Sequence, residues 1–223
     1  PYLFESLAHL DKADAAGGLL AKVNEGVTPK GARVVALMAV GGGTGIFNTK
    51  REIHKPDDMA DLRIRALDEN QMKLFKAWGT NGVVITMPEV ANALQTGIAS
   101  GYINPPFVPF LFGHGSILKF YTAANVSQPL RAAMVSEDWY KKLPADRKAA
   151  FDAGVAKAVA ANREWVKTSD AQAYEQLTKA GIKITQLTPD NRKTFQDRSR
   201  ESWGAILSPQ EVKLFVDAAA KAR

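Results

Sequence analysis

The sequence predicts an α/β fold, and two stretches of the chain carry that prediction. Between Leu62 and Asn104, apolar runs typical of strands alternate with helical segments across short connections, as in parallel α/β units. Between Ala145 and Ala180, apolar residues recur at helical spacing, and no Gly or Pro interrupts the pattern after Val155. One helix of that length extends roughly 50 Å, more than the width of a small domain. We therefore expect it to brace two lobes or to reach a partner.

Composition and charge indicate a globular protein and do not favour nucleic acid as a partner. Of the 223 residues, 46% are hydrophobic and 23% are charged, and no apolar run approaches the roughly 20 residues of a membrane helix. The net charge is +6, but basic residues are mixed with acids, as in residues 197–201, which favours a solvated surface. The absence of cysteine excludes disulfides and thiolate metal sites and suits an oxidising compartment.

The chain ahead of the alternating region predicts a helix, a strand and a glycine-rich crossover. Residues 1–31 predict one helix that ends near Gly26. The apolar run 32–40 predicts a strand covered on both faces. Residues 41–45 lack the lysine of a phosphate-binding loop and the spacing of a dinucleotide-binding loop. A flexible crossover or a close approach of backbones is the favoured interpretation of these glycines.

The remaining elements follow from periodicity, caps and prolines. Helices are predicted at 69–78, at 88–96 between Pro88 and Gly97, and at 145–180, and others begin at Ser136, Thr188 and Ser208. Residues 107–112 predict a loop or a short broken helix that packs in the core, with a membrane or partner patch as the alternative. Strands are predicted at 46–53, 62–66, 120–125, 130–136 and 183–186, and another is predicted to end at Asn104. Residues 82–86 are predicted to be a buried strand.

Two polar residues on predicted strands are candidates for binding a ligand. Arg63 and Arg65 share one face of their strand, and an arginine among apolar neighbours must reach water or an acidic group. A structural ion pair and a ligand carboxylate held by the guanidinium both remain open for Arg65. Asn104 ends a strand that Pro105 stops, which places it at the edge of a sheet, a usual position for a ligand.

Arrangements typical of enzymes and metal sites do not occur in the sequence. His9, His54 and His114 have no metal-ligand spacing, and the sequence has no GxSxG motif. The adjacent Asp57 and Asp58 lie in a predicted turn. We therefore predict no catalytic residue, no bound metal and no cofactor.

Separated blocks of the chain resemble one known family. In order and spacing they are similar to the DctP-type solute-binding proteins of tripartite ATP-independent periplasmic (TRAP) transporters, and the likeness extends over essentially the whole chain. The blocks are Pro-Asp-Asp-Met-Ala-Asp-Leu-Arg-Ile-Arg at 56–65, Trp-Gly at 78–79, Met-Pro-Glu-Val at 87–90, Ala-Leu-Gln-Thr-Gly at 93–97 and Asn-Pro at 104–105.

This resemblance implies a fold, a function and a set of binding residues. The fold is that of a two-lobed periplasmic binding protein, type II-like, with a long helix that spans both lobes. The function is capture of an organic acid in the periplasm and its delivery to the membrane permease, without enzymatic activity. The family's carboxylate-binding arginine corresponds to Arg65 and its assisting asparagine to Asn104. Met87 stands where many members place a phenylalanine against the ligand.

The sequence departs from the family pattern at two places. Many members carry a second arginine at a position that falls within residues 43–45, which read Gly-Thr-Gly here. Where the family usually reads Asp-Gly-Gln-Glu-Asn-Pro, residues 100–105 read Ser-Gly-Tyr-Ile-Asn-Pro. A pocket lined by Tyr102 and Met87 would be less polar than usual. We hypothesise a monocarboxylate with an apolar or aromatic body as the ligand.

The resemblance also leads to expectations about lobes and partners. The N-terminal part of the first lobe is expected to be absent from this chain, which would expose apolar surface suited to a homodimer. Residues 1–42 and 131–170 are assigned to lobe I with the long helix, and residues 43–130 and 171–223 to lobe II with the anchoring residues. A ligand-sensing regulatory domain of the same fold is the main alternative function. An enzyme that modifies small acids is a weaker one.

Overall fold

A computed structural model describes residues 1–222, and these residues form an α/β structure with the following elements. The strands are β1 (Ala32–Ala39), β2 (Gly45–Asn48), β3 (Arg63–Ala66), β4 (Asn81–Val84), β5 (Gly101–Asn104), β6 (Phe120–Ala123), β7 (Leu130–Ser136) and β8 (Lys183–Gln186). The helices are α1 (Leu7–Gly17), α2 (Leu19–Val27), α3 (Glu69–Trp78), α4 (Val90–Thr96), α5 (Val108–Leu111), α6 (Glu137–Lys141), α7 (Ala145–Lys179), α8 (Pro189–Glu201), α9 (Trp203–Ile206) and α10 (Pro209–Ala220).

The larger sheet has six strands in the order β4-β3-β5-β2-β6-β8. Strand β3 runs parallel to β4 and β5, which confirms the parallel unit predicted from the alternating region. Strand β2 is antiparallel to both of its neighbours, so the sheet is mixed. The strand predicted at 82–86 is present as β4, but the prediction that it is buried is wrong, because β4 is an edge strand and its residues stay partly exposed.

Apolar clusters cover both faces of the larger sheet. One cluster contains Ile46 of β2 and Trp78 of α3, and Trp78 packs edge-on against Phe195 of α8. The other contains Phe47 of β2 and Leu177 of α7. Because adjacent strand residues point to opposite faces, the change of cluster between Ile46 and Phe47 places the clusters on the two sides of the sheet.

The smaller sheet consists of β1 and β7 alone, paired antiparallel from Ala32 opposite Ser136 to Ala39 opposite Leu130. The prediction that residues 32–40 form a strand covered on both faces is therefore only half right. Most positions of β1 are half-buried, because a two-stranded sheet offers each strand a single neighbour. An ion pair between Arg33 and Glu137, with Nε and Oε2 2.6 Å apart, ties β1 to the start of α6.

The glycine-rich crossover joins the two sheets and lies against α7. Val40 and Thr44 donate backbone hydrogen bonds to the segment that precedes β7. The backbone nitrogen of Gly42 donates to Asp170 Oδ1 of α7 at 3.1 Å. A Cβ atom on Gly42 would overlap the Asp170 carboxylate, and one on Gly43 would overlap the Asn125 amide. The backbone of residues 41–45 thus approaches neighbouring side chains closely, which favours the predicted close backbone approach over a flexible crossover.

The long helix is confirmed, while two other predicted elements are shorter than expected. Helix α7 has 35 residues, and its Asn162 side chain bonds both the N–H and the C=O of Ala39. The single helix predicted in residues 1–31 is two helices, because Gly18 takes a left-handed conformation with φ 61°. The predicted strand 46–53 ends at Asn48, whose Oδ1 accepts from the backbone amides two and three residues further on and turns the chain.

No helix within residues 1–222 combines the length and the apolar character needed to cross a membrane.

Candidate functional site

A cavity of about 670 Å³ lies where the two sheets meet, and both sheets contribute to its wall. The volume falls within the range of roughly 300–1,000 Å³ typical of small-molecule sites. No aspartate or glutamate lines it, so its charged groups are arginines only. The lining residues are Val40, Thr44, Arg65, Leu67, Gln71, Val84, Ile85, Thr86, Met87, Ile103, Asn104, Pro105, Phe107, Val108, Leu111, Phe112, Ser127, Pro129 and Arg131.

Arg65 is a buried guanidinium without an acidic partner. It lies in β3 and is 4% exposed, and its Nε donates to the carbonyl oxygen of Ile85 at 2.8 Å. Within residues 1–222 its terminal nitrogens make no hydrogen bond, and no carboxylate lies within ion-pair distance. Burial lowers the pKa of Arg65, opposed by Tyr102 and Asp68. A structural ion pair therefore does not explain this buried charge.

Asn104 supplies a second unsatisfied donor to the same cavity. It ends β5, opposite Gly45 of β2. Its Nδ2 is the one buried side-chain nitrogen or oxygen that lacks a hydrogen-bond partner among the described residues. Leaving a buried donor unpaired costs about 1–3 kcal/mol, so such atoms need an explanation. A ligand with an acceptor oxygen would satisfy both this amide and the Arg65 guanidinium.

Apolar side chains form most of the remaining wall. Met87 lines the cavity and is half-buried. Large apolar residues on the wall are exposed, Leu111 being 66% and Leu67 56% exposed. The wall thus combines exposed apolar side chains with the buried cation of Arg65.

Tyr102 does not line the cavity. Its side chain is 0% exposed and belongs to the apolar cluster around Phe47. Its hydroxyl lies 3.2 Å from Nδ1 of His114, and burial raises its pKa. In the sheet it is paired with Arg65 on the neighbouring strand. Of the predicted site residues, the structure thus brings Arg65, Asn104 and Met87 together and places Tyr102 in the core beside them.

Arg131 is a cavity residue that the sequence analysis missed. It lies in β7 of the smaller sheet and is exposed. The pattern that singled out Arg65, an arginine within an apolar strand, also occurs at residues 130–136. From the sequence, that segment is predicted only to be a strand near a change of lobe.

A second cavity, of about 560 Å³, lies on the α7 side of the crossover and has a different character. Its Arg163 is held by Asp11 through paired contacts of 2.8 and 2.9 Å. Asp170 also lines it and accepts from Gly42, and burial raises the pKa of Asp170. Arg65 and Asn104 do not line this cavity. In the described part of the chain, no group of three or more His, Cys, Asp or Glu side chains could hold a metal ion.

Comparisons of the sequence identify related proteins. A family model described as "DctP: Bacterial extracellular solute-binding protein, family 7" matches residues 1–210. The C4-dicarboxylate-binding periplasmic protein DctP of Rhodobacter capsulatus is 25% identical over 214 residues, which are 94% of this chain and 60% of that protein. A solute-binding protein of Sulfitobacter sp. is 28% identical over 190 residues, which are 81% of this chain and 54% of that protein. The chain thus spans little more than half the length of these relatives.

Solved structures agree in fold at low sequence identity. A TRAP periplasmic solute-binding protein from Ochrobactrum anthropi superposes with a TM-score of 0.91 at 23% identity, covering 100% of this chain and 70% of that one. One from Anaerococcus prevotii, with bound glucuronate, has a TM-score of 0.87 at 21% identity and coverage of 100% and 71%. One from Shewanella oneidensis, with bound succinate, has a TM-score of 0.87 at 18% identity and coverage of 100% and 73%. The predicted periplasmic binding protein fold is confirmed.

Proposed function

Because the chain belongs to the bacterial extracellular solute-binding proteins of family 7, we propose that it captures an organic acid and delivers it to a TRAP transporter permease. The observation that carries the proposal is the buried guanidinium of Arg65, which is 4% exposed and has no carboxylate within ion-pair distance in residues 1–222. Such a cation is stabilised when an anion arrives. A ligand carboxylate is the anion that the family's chemistry suggests.

Arg65 and Asn104 are proposed to hold the carboxylate together. The terminal nitrogens of Arg65 can donate parallel hydrogen bonds to its two oxygens, the strongest arrangement for this pair of groups. The Nδ2 atom of Asn104 can donate a further bond to the same group. Nε of Arg65 is already held by the carbonyl of Ile85, so the guanidinium is oriented before the ligand arrives.

The ligand is proposed to be a monocarboxylate whose body is apolar or aromatic. Met87, Leu111, Phe112 and their neighbours give the wall an apolar surface, and no acidic group lines it. Met87 can adapt to a ring or to an aliphatic chain. Tyr102, which is buried beside Arg65, is proposed to support the strand that positions Arg65 and to make no direct contact with the ligand.

The proposed partners are the acid and the permease, and no catalytic step is proposed. The homodimer also stays a proposal, to be tested by sedimentation equilibrium. The alternative of a ligand-sensing regulatory domain is not favoured, since the family consists of transport proteins. Turnover of a bound acid without the permease would contradict the binding-only function.

Calorimetric titration of the wild type and two arginine variants tests the proposal. Arg65→Gln should raise the Kd for any bound acid by roughly 30-fold or more, because truncating a buried charge pair costs about 2–5 kcal/mol. Arg63→Gln is the matched control, since Arg63 lies on the same strand but is exposed and outside the cavity wall. Its Kd should stay within about twofold of the wild-type value.

The choice of acids tests the proposal that the ligand is a monocarboxylate with an apolar or aromatic body. The panel consists of hexanoate, phenylacetate, succinate and glucuronate. Undiminished affinity in Arg65→Gln would remove the anchor assignment. Tighter binding of succinate than of both apolar acids would overturn the monocarboxylate. Tighter binding of glucuronate would overturn the apolar body, and either result would leave the anchor intact.

A further inference from the structure

A second arginine without an acidic partner faces the cavity from the other sheet. Arg131 lies near the start of β7, opposite Met38 of β1, and it lines the same cavity as Arg65. Within the described residues its side chain makes one hydrogen bond, from NH1 to the carbonyl oxygen of Leu130 at 3.1 Å. No carboxylate of residues 1–222 lies within 4.0 Å of it. Its remaining donors are available to a ligand.

The two arginines of the cavity differ in surroundings. Arg65 is buried in the larger sheet, and Asn104, whose buried Nδ2 has no hydrogen-bond partner among the described residues, lines the same cavity. Arg131 is exposed and belongs to the smaller sheet. Apolar side chains, among them Met87 and Leu111, make up most of the wall they share. A ligand matched to this wall has an anionic end, an apolar middle and a polar far end.

We propose that Arg131 donates hydrogen bonds to an acceptor at the end of the ligand distant from the carboxylate, and so selects acids with a polar far end. The acceptor is a hydroxyl, a keto or an ether oxygen. This inference rests on the proposed function, because it assumes that Arg65 holds the carboxylate. It identifies a residue of the smaller sheet that determines specificity, and it places the ligand in contact with both sheets.

The test uses pairs of acids that differ only at the far end. Phenylacetate is compared with its para-hydroxy derivative, and hexanoate with its ω-hydroxy derivative, by calorimetry on the whole chain. In Arg131→Gln the Kd of each hydroxy acid should rise about tenfold, as expected for loss of a hydrogen bond to a charged donor. The Kd of each parent acid should stay within about twofold of the wild-type value.

Arg147→Gln is the control for the change in net charge. Arg147 is an exposed arginine in the first turn of α7, and it does not line the cavity. This variant should change the Kd of neither acid in a pair. Circular dichroism and the urea midpoint of Arg131→Gln should match those of the wild type, because the side chain is exposed.

The remaining outcomes separate failure of the inference about Arg131 from failure of the proposed function. If Arg131→Gln weakens parent and hydroxy acids equally, Arg131 acts on the carboxylate or on electrostatic steering, and the inference fails. Unchanged Kd values for all the acids also refute it. If the wild type binds none of the acids, the proposed function and this inference fail together. If the wild type binds them and Arg65→Gln abolishes binding, the proposed function stands whatever Arg131 does.

Discussion

Arg65 and Asn104 show how a binding site is built at the scale of single residues. The terminal nitrogens of Arg65 and Nδ2 of Asn104 are donors that no protein group of residues 1–222 accepts, and both residues line the cavity. The folded chain therefore carries an unfavourable desolvation term that a ligand would remove. The unpaired donors lower the stability of the folded protein at its binding site, which is a common trade-off at functional sites.

Replacement of Asn104 by leucine should separate stability from binding. Asn104→Leu removes the unpaired donor and keeps the branching of the side chain, so the unfolding free energy of the ligand-free protein should rise by about 1 kcal/mol. The Kd for a bound monocarboxylate should rise at least about tenfold, because one donor is lost. Urea unfolding and calorimetry measure the two quantities.

Asn104→Asp is the companion variant. It keeps the size of the side chain but places a negative charge beside the ligand's carboxylate, so acid binding should be weaker still than in Asn104→Leu. Loss of stability in Asn104→Leu would show that Nδ2 has a partner in the ligand-free protein, and would contradict the assignment.

The sequence identified some site residues because local pattern determines them, and missed others that depend on the assembled sheets. Strand alternation placed Arg63 and Arg65 on one face, and the family resemblance singled out Arg65 as the anchor. Tyr102 occupies the neighbouring register position, yet it is buried because His114 and Phe47 cover it. Arg131 reaches the same cavity only because β7 pairs with β1 in a separate sheet. No local signal encodes these long-range placements.

At the scale of elements, helix ends and turns could be predicted from the sequence, whereas the burial of the strands could not. Gly79 and Gly97 end α3 and α4 in left-handed conformations, as their positions in the sequence predict. The apolar composition of β1 and β4 predicted that both strands are buried, but most of their residues stay partly exposed. The number of strands that flank a given strand follows from the topology of the sheet. A run of apolar residues does not indicate that number.

The ion pair between Arg33 and Glu137 gives the smaller sheet a pH-dependent stability. Hydrogen bonds from Arg33, helped by Lys141, lower the pKa of Glu137 from 4.5 to about 2. A carboxylate with a depressed pKa stabilises the fold above its unfolded pKa and loses that contribution as the pH falls toward the folded value. The contribution is therefore complete above about pH 5 and declines between about pH 4.5 and pH 2.

Urea unfolding of Glu137→Gln across pH checks this expectation. The variant should be less stable than the wild type at neutral pH, and the difference should shrink steadily below about pH 4.5. Glu164→Gln, which breaks the exposed pair with Lys167, is the control and should show little effect at any pH. A difference for Glu137→Gln that stays constant down to about pH 2.5 would contradict the assignment.

At the scale of the whole molecule, the predicted family and periplasmic setting are confirmed by the match to extracellular solute-binding proteins over residues 1–210. The division into lobes stays a prediction. Strands β1 and β7 form a sheet of their own, consistent with residues 1–42 and 131–170 belonging together. Helix α1, however, packs on α10, a contact that crosses the predicted boundary.

Small-angle scattering with a saturating acid tests whether the two sheets move as separate bodies. A ligand that contacts both cavity walls should draw them together and lower the radius of gyration. Arg65→Gln should show no such decrease at the same acid concentration. An unchanged radius in the wild type, with binding verified by calorimetry, would mean that the sheets form a rigid unit.

The crossover between the sheets has a consequence for how this chain tolerates mutation. Surface loops usually accept substitutions and insertions more freely than the elements they connect. Here Gly42 and Gly43 lie so close to Asp170 and Asn125 that even a methyl group would overlap a side chain. In a saturation-mutagenesis map this short loop should therefore tolerate substitution as poorly as the fully buried strand β2 that follows it.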